Sequence, residues 1–209
     1  MTDDVMSIGA TPRKTNGQLM ADMARLGWLD GRVLDCTYGL GSFWSDFTPD
    51  DLTACDMDPN KSPIGRSVDF TRMPNEWAES FDAVVFDPPY MLNGTQGLYV
   101  DADRYGVSGK VPIHDRHRLM FQGFGECVRV CKPGGVVVVK CQAQNASNRF
   151  YRQPSMVVGW AVSLDMKVLG EMHVQGWREQ PGAQVNPRND FSTAVIVRKP
   201  RRLSRRAGR

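Results

Sequence analysis

The chain has 209 residues, of which 41% are hydrophobic and 23% are charged, and its net charge at pH 7 is +3. These values are typical of a soluble globular protein, and the length suits a single domain. No apolar run reaches the length of a membrane span, and the acidic start "MTDDVMSIGA" has no signal-peptide pattern, so we expect a cytoplasmic protein.

Apolar segments alternate along the chain with segments of helical period, which predicts an α/β protein with a mostly parallel sheet. The first helix is predicted over residues 15–27, where Gly27 ends it. A second helix is expected to begin at His114 and to end before Pro133, and a third covers 156–164. The predicted strands are 32–35, a strand that ends at Asp56, 81–87, 136–142, 166–174 and 191–199.

The cysteines and histidines show no metal-binding pattern. The number of cysteines is odd, and no two of them form a C-x-x-C pair. Reduced, buried thiols in a cytosolic protein are therefore expected, and no metal site is predicted. The cysteines are Cys36, Cys55, Cys127, Cys131 and Cys141.

The glycine-containing stretch "VLDCTYGLGSFW" follows the first predicted strand. Its strand ends at Asp35, and Gly39 and Gly41 allow the backbone to come close to a ligand. The G-x-G spacing without a third glycine is weak evidence for a dinucleotide site, and the absence of Gly-Lys-Ser/Thr excludes a phosphate-binding P-loop.

Acidic residues follow the next predicted strands. Asp56 ends the second strand, about 20 residues beyond Asp35, where a carboxylate can accept both hydroxyls of a ribose. Asp58 is a rival candidate, and Asp69 lies where a third strand of such a sheet would end, although it fits a turn equally well. A glycine loop with a ribose acid predicts a nucleoside-containing cofactor, and the lack of phosphate-binding features favours S-adenosylmethionine.

The stretch "FDAVVFDPPY" at residues 81–90 is the most specific motif. An apolar strand ends at Asp87, a rigid Pro-Pro pair follows, and Tyr90 comes next. The Asp87 carboxylate can accept one N–H of an exocyclic amino group, and the Pro88 carbonyl can accept the other. Two such acceptors stabilise positive charge on the nitrogen, and Tyr90 can stack on an extruded base.

This motif, downstream of the glycine loop, resembles the amino-group DNA methyltransferases of the Asp-Pro-Pro-Tyr family. The resemblance covers roughly residues 10–199 and implies a Rossmann-like class I methyltransferase domain. Its expected sheet has seven mostly parallel strands, helices on both faces and an antiparallel C-terminal strand. Because aspartate at the first motif position mostly accompanies adenine, the implied reaction is methylation of adenine N6 in DNA, with S-adenosylmethionine as cofactor.

The resemblance also assigns roles to residues. It makes Asp87, Pro88, Pro89 and Tyr90 the catalytic motif. The implied cofactor-binding residues are Thr11, Pro12, Asp35, Thr37, Gly39, Gly41, Asp56, Asp58 and Asp69. Candidate substrate contacts are Tyr99, Tyr105, Lys140, Arg188 and Asn189, the last two within a Gln-x-x-x-Arg-Asn-x-x-Ser pattern before the final strand. Cys36 and Leu40 depart from the family's glycine loop, which usually has proline and serine there.

Three segments are left to select the substrate, because the chain has no room for a separate target-recognition domain. Residues 91–115 have no clear period and are expected to form a mobile loop beside the site, the alternative being a mere insertion. The second segment is 175–190. The third is the basic end of the chain, of which we expect residues 200–209 to be a disordered tail.

That basic end gives the chain an uneven charge. Residues 198–209 carry seven basic residues and no acid. Removing their charge of +7 from the net charge of +3 leaves the rest of the chain at −4. The tail suits a polyanion partner or simple solubilisation equally well.

Two other functions stay open at this stage. An RNA adenine-N6 methyltransferase fits the small size and the basic tail as well as a DNA enzyme does. A non-catalytic nucleic-acid-binding subunit with the same fold is the alternative from another class, although it would be expected to have lost the acid or the glycines, which are intact here.

Overall fold

The computed structural model describes residues 11–92, 112–176 and 189–201. Three helices and eight strands are found in these ranges. The helices are α1 (Asn16–Arg25), α2 (Ile113–Val130) and α3 (Gln153–Ser163). The strands are β1 (Arg32–Asp35), β2 (Asp51–Ala54), β3 (Phe81–Phe86), β4 (Cys131–Cys141), β5 (Ala143–Ala146), β6 (Arg149–Arg152), β7 (Lys167–Gln175) and β8 (Phe191–Arg198).

Six strands form one sheet in the order β2-β1-β3-β4-β8-β7. The first four pair in parallel, and β8 lies antiparallel between β4 and β7. Valines 136–139 of β4 are buried, as a central strand covered on both faces requires. The mostly parallel sheet and its antiparallel C-terminal strand agree with the sequence prediction.

The sheet has six strands within the described residues, so the predicted seventh strand is not confirmed there. The missing strand is the one expected to end at Asp69. There, Ser67 makes a single parallel bridge with Asp56, and the chain then turns. The turn forms because the Asp69 carboxylate accepts hydrogen bonds from the backbone N–H and the hydroxyl of Thr71, at 2.8 and 2.7 Å, in place of a ladder partner.

Helices cover both faces of the sheet, as predicted. On one face, Leu19, Met20 and Met23 of α1 pack on β-strand side chains such as Val85 and Val138. On the other, buried residues of α2 and α3 pack on the alternate positions of the same strands. That second group includes Met120, Phe124, Cys127, Val157 and Ala161.

The sequence analysis missed a two-stranded hairpin, β5–β6, directly after β4. Its strands pair antiparallel, with Gln144 opposite Tyr151 and Asn145 opposite Phe150. Ser147 and Asn148 connect them, and both have positive φ angles, 49° and 59°. Two consecutive positive φ values are what a type I′ turn requires, and asparagine tolerates this conformation better than most residues do.

Several other expectations concern absences or lie outside these ranges. All five cysteines are buried and unpaired by disulfides. No helix in the described ranges is long and apolar enough to cross a membrane, and the same residues contain no cluster of three metal-ligating side chains. Tyr99, Tyr105 and Arg188, together with residues 93–111 and 202–209, lie outside the described part of the chain.

Candidate active site

Three aspartates stand at the carboxyl edge of the sheet, where neighbouring parallel strands end. Asp35 is the last residue of β1, Asp56 follows β2 by two residues, and Asp87 comes directly after β3. In open α/β sheets, this edge is where ligands bind. The structure therefore brings together the three carboxylates that the sequence analysis singled out.

The glycine loop lies between Asp35 and a short 3₁₀ helix at Ser42–Trp44. Gly39 and Gly41 both have positive φ, 56° and 70°, which explains their residue type. A cavity of about 310 Å³ opens beside the loop, with Tyr38, Gly39 and Leu40 on one side and residues 60–63 on the other. A ligand in this cavity would touch the loop backbone directly.

Asp35 is almost completely buried, with 1% of its surface exposed. Its two carboxylate oxygens accept hydrogen bonds from the Thr37 backbone N–H at 3.0 Å and from the Trp44 indole N–H at 2.8 Å. Burial raises the pKa of this carboxyl to about 7, in spite of these two donors. Asp35 thus fixes the shape of the loop from beneath.

Asp56 has both oxygens engaged by backbone donors. One oxygen accepts from the Gly39 N–H and the other from the Asp58 N–H, each at 2.9 Å. Asp56 therefore links the end of β2 to the glycine loop, and it is only partly exposed. This position, beside the cavity, suits a carboxylate that also reaches a ligand hydroxyl.

The rival acids have local partners instead. Asp58 caps the short helix at Pro59–Lys61 by accepting from the Asn60 backbone N–H at 3.0 Å, and it pairs with Lys61 at 3.5 Å. Asp69 is exposed and holds the turn with Thr71. Their role as cofactor contacts stays a prediction, and each carboxylate already stabilises local structure, Asp58 the short helix and Asp69 the turn.

Asp87 and Lys140 form an ion pair across two neighbouring strands, with 3.2 Å between Oδ2 and Nζ. The Lys140 side chain is only 10% exposed and that of Asp87 25%. Burial would favour neutral lysine, but the attraction of Asp87 outweighs it and raises the pKa of Lys140 above its ordinary value. Burial also raises the pKa of Asp87, and the ammonium group partly counteracts this.

The other carboxylate oxygen of Asp87 is the exceptional feature of this edge. Oδ1 is buried, and it has no hydrogen-bond partner among residues 11–92, 112–176 and 189–201. An unpaired buried acceptor costs about 1–3 kcal/mol, so such atoms mark sites where a donor arrives from a ligand. This geometry suits an acceptor of an incoming N–H.

Pro88, Pro89 and Tyr90 continue from Asp87 in a tight turn. The Pro88 carbonyl accepts the Tyr90 backbone N–H at 2.7 Å, which leaves its second lone pair for another donor. The half-buried Tyr90 ring packs against the core on the side of α2, and its centroid lies 5.7 Å from the Lys140 ammonium. Burial raises the pKa of its hydroxyl.

Two buried glutamines, which the sequence analysis missed, hold this turn in place. Gln144 and Gln153 donate to the Tyr90 carbonyl at 3.0 and 2.8 Å. The Gln144 side-chain oxygen also accepts the backbone N–H of Leu92 at 3.0 Å. No sequence signal pointed to Gln153, because the hairpin before it was missed and its helix was predicted to begin at residue 156.

Thr37 joins the two parts of the site. Its backbone N–H donates to Asp35, and its hydroxyl accepts the backbone N–H of Asp87 at 2.7 Å. The glycine loop and the Asp-Pro-Pro-Tyr turn are therefore in direct contact.

The remaining candidates lie farther out. Thr11 and Pro12 precede Arg13, which pairs with the carboxyl end of β7, and the Asn189 carbonyl accepts a hydrogen bond from Gln142 at 2.9 Å.

Comparison with known proteins gives the fold but no family. No family model matches the chain, and no curated protein does. Among solved structures, the N-methyltransferase NodS from Bradyrhizobium japonicum WM9, in complex with S-adenosyl-L-homocysteine, matches with a TM-score of 0.54 and 16% identity. The match covers 88% of this chain and 86% of NodS. The fold is that of Rossmann-like methyltransferases.

Two further matches show how widely this fold is used. The [4+2]-cyclase SpnF has a TM-score of 0.53 and 14% identity, over 88% of this chain and 80% of SpnF. A protein of Thermoplasma acidophilum has a TM-score of 0.55 and 11% identity, over 88% of each chain. Because a cyclase shares the fold, the function of this chain has to be argued from its own site.

Proposed function

We propose that this protein is an S-adenosylmethionine-dependent methyltransferase that acts on the exocyclic N6 amino group of adenine in DNA. The Asp87 carboxylate carries the proposal. It stands at the end of a parallel strand, Lys140 holds one of its oxygens, and the other is buried without a partner in the described ranges. An amino group that entered beside Tyr90 would supply the missing donor.

The residues on the β1–β2 side fit the cofactor. The loop at Gly39 and Gly41 lets a ligand approach the backbone, and Asp56 stands beside the cavity in position for ribose hydroxyls. S-adenosylmethionine supplies an electrophilic methyl group when it is bound. NodS, an N-methyltransferase of the same fold, was crystallised with the demethylated form of this cofactor, which supports the choice.

The Asp-Pro-Pro-Tyr turn fits the chemistry of an aromatic amine. The lone pair of such a nitrogen is delocalised into the ring, so the nitrogen is a poor nucleophile. Asp87 Oδ1 and the free lone pair of the Pro88 carbonyl would accept its two N–H groups and stabilise the positive charge that develops. S-adenosylmethionine, when bound, would supply the methyl group, and Asp87 could accept the proton that the amino nitrogen gives up on methylation.

The assignment to adenine in DNA rests on the resemblance of "DPPY" and of the glycine loop to the adenine-specific DNA methyltransferases. Tyr90, half-buried at the end of the turn, suits the face of an extruded base.

The test uses the radiolabelled cofactor with double-stranded DNA, single-stranded DNA and RNA of matched sequence, followed by mass spectrometry of the nucleosides. Wild type is expected to form N6-methyladenine in DNA. Asp87→Ala is expected to abolish transfer, while calorimetry shows that S-adenosylmethionine still binds.

Asp82→Ala is the matched control, because Asp82 lies on the same strand at its amino end, where it pairs with Lys132 at 2.7 Å. This variant should retain transfer. Undiminished methylation by Asp87→Ala would refute the role of that carboxylate. Methylation of RNA but not of DNA would assign RNA as the substrate. Failure of wild type to bind the cofactor would favour the non-catalytic alternative.

A further inference from the structure

The β5–β6 hairpin presents an exposed aromatic side chain between two arginines. Phe150 retains 45% of its accessible surface, an unusual value for phenylalanine in a strand. Arg149 and Arg152 are exposed as well. The guanidinium of Arg152 lies 5.9 Å from the Phe150 ring centroid, and that of Arg149 lies 5.6 Å from the Tyr151 ring centroid.

The two faces of the hairpin differ in burial. Gln144 and Ala146 are buried and share one face with their cross-strand neighbours Tyr151 and Arg149. The opposite face carries Phe150 and Arg152, both exposed. Because side chains alternate along a strand, Phe150 cannot turn inward without displacing the register that buries Gln144.

The inward face ties the hairpin to the candidate active site. Gln144 bonds the backbone at Tyr90 and Leu92, as described above. The Tyr151 ring packs at 5.5 Å against His117 of α2, and His117 in turn contacts Gln153. The exposed face is therefore held in a fixed position relative to the Asp-Pro-Pro-Tyr turn.

The charge around the hairpin points to a negatively charged partner. The hairpin, residues 143–152, carries two basic residues and no acid, whereas the nearby Arg129, Lys132 and Lys140 are each paired with a carboxylate. An aromatic ring beside a guanidinium group is a combination that holds a nucleic-acid strand, since the ring stacks on a base and the arginine contacts phosphates.

We propose that the β5–β6 hairpin is a docking surface for the nucleic-acid strand that carries the target base, with Phe150 stacking on a neighbouring base and Arg152, on the same face, contacting its phosphates. The inference rests on the proposed function, because the surface adjoins the same site. It adds the hairpin to the segments left to select the substrate, which in the sequence analysis were residues 91–115, 175–190 and the tail.

The experiment measures fluorescence anisotropy of a labelled, adenine-containing single-stranded DNA with the full-length protein across a range of salt concentrations. Phe150→Ala is expected to weaken binding roughly tenfold without changing the salt dependence, and Phe150→Trp to restore it. Arg152→Ala is expected to weaken binding and to reduce the slope of log K against log salt by about 0.7, whereas Arg149→Ala, on the opposite face, should leave both unchanged.

Two control variants lie elsewhere on the surface. Arg32→Ala removes an exposed arginine that lies over an aromatic ring at the amino end of β1, 4.7 Å from the Phe81 centroid. Phe121→Ala removes a ring of α2 that is 40% exposed. Both should bind DNA as wild type does. Affinities of the Phe150 and Arg152 variants within twofold of wild type would overturn the proposal, as would a wild type that binds no nucleic acid.

The experiments distinguish failure of the hairpin proposal from failure of the proposed function. Asp87→Ala should transfer no methyl group, while its DNA binding should still depend on Phe150 and on salt as that of wild type does. Methylation that proceeds normally in Phe150→Ala, with unchanged affinity, would reject the hairpin alone. A wild type that binds DNA through the hairpin but methylates no nucleic acid would reject the proposed reaction alone.

Discussion

The two halves of the carboxyl edge are built from the same residue types but leave their carboxylates in different states. On the β1–β2 side, Asp35 and Asp56 each have both oxygens hydrogen-bonded to the chain's own N–H groups. On the β3–β4 side, Asp87 has one oxygen on Lys140 and the other without a partner in the described ranges. The carboxylates of the first half have both oxygens bonded before a ligand arrives, whereas Asp87 keeps one oxygen for a donor from outside.

The donors separate the same two halves. Asp35 and Asp56 accept hydrogen bonds from neutral N–H groups, whereas Asp87 accepts one from the Lys140 ammonium. The following predictions test this contrast.

The largest effect is expected from Lys140→Met. Without its ammonium partner the pKa of the buried Asp87 rises further, and a protonated Asp87 is a poor acceptor for an amino group. We expect methyl transfer to fall roughly 100- to 1,000-fold at pH 7, which is the range seen when one charge-stabilising group is removed from an active site. Cofactor affinity should stay unchanged.

The pH–rate profile separates this positioning role from a structural one. In Lys140→Met the acid limb should move to higher pH, because Asp87 ionises only there, and Lys140→Arg should restore part of the activity. An acid limb that stays in place would disprove the role.

Asp35→Asn tests the first half through stability. Folding raises the pKa of Asp35 from 3.8 to about 7, so between these pH values the folded chain holds a proton that the unfolded chain has released. Its contribution to the free energy of unfolding therefore falls as the pH rises through this window. Relative to that of Asp35→Asn, the free energy of unfolding of wild type, measured by urea denaturation, should fall by roughly 2–3 kcal/mol between pH 5 and pH 8.

The matched variant is Asp82→Asn, because the pKa of Asp82 is lowered and its titration lies below this window. It should follow wild type between pH 5 and pH 8. A constant difference between wild type and Asp35→Asn would show that Asp35 is ionised in the folded protein.

Asp56→Asn and Asp58→Asn distinguish the two candidate ribose acids. Asp56→Asn should weaken S-adenosylmethionine binding roughly 30-fold in calorimetry, as expected when a hydrogen bond to a charged acceptor is lost. Asp58→Asn should leave the affinity within twofold, because asparagine still caps the short helix at Pro59–Lys61. The opposite result would transfer the ribose role to Asp58.

The smallest effect is expected at the glycine loop. A Cβ atom on Gly41 would lie 2.6 Å from the Tyr38 hydroxyl oxygen, so Gly41→Ala should weaken cofactor binding roughly tenfold by displacing the tyrosine. Gly65→Ala is the control, since its φ of +69° imposes a similar strain but nothing lies within 4 Å. Equal affinities in these two variants would mean that Tyr38 does not shape the cavity.

Most of the sheet was predictable because its signals are local. The β1 bounds agree with the prediction, and the carboxylates at the ends of β1 and β3 follow from where each apolar run stops. The run of valines at 136–139 predicts a buried strand, whichever strands become its neighbours. Such features depend on a few consecutive residues and on the edge at which parallel strands end.

The missed features depend on contacts between distant residues. Lys140 was expected to contact substrate, but its partner Asp87, 53 positions away, is known only once β3 and β4 are paired. Gln153 lies 63 positions from the tyrosine carbonyl that it holds. The absent third strand had a competing local signal, since Asp69 followed by Thr71 favours a turn as strongly as "SVDF" favours a strand.

The hydrogen bond between the Thr37 hydroxyl and the Asp87 backbone has a thermodynamic consequence. A ligand that displaced the glycine loop would act on Asp87 through this bond, and such an effect is a coupling free energy between the two binding equilibria. Linkage makes such coupling reciprocal: a base that binds more tightly in the presence of the methyl donor must tighten the binding of that donor by the same factor. The Thr37 oxygen is thus the contact through which each ligand would change the affinity of the other.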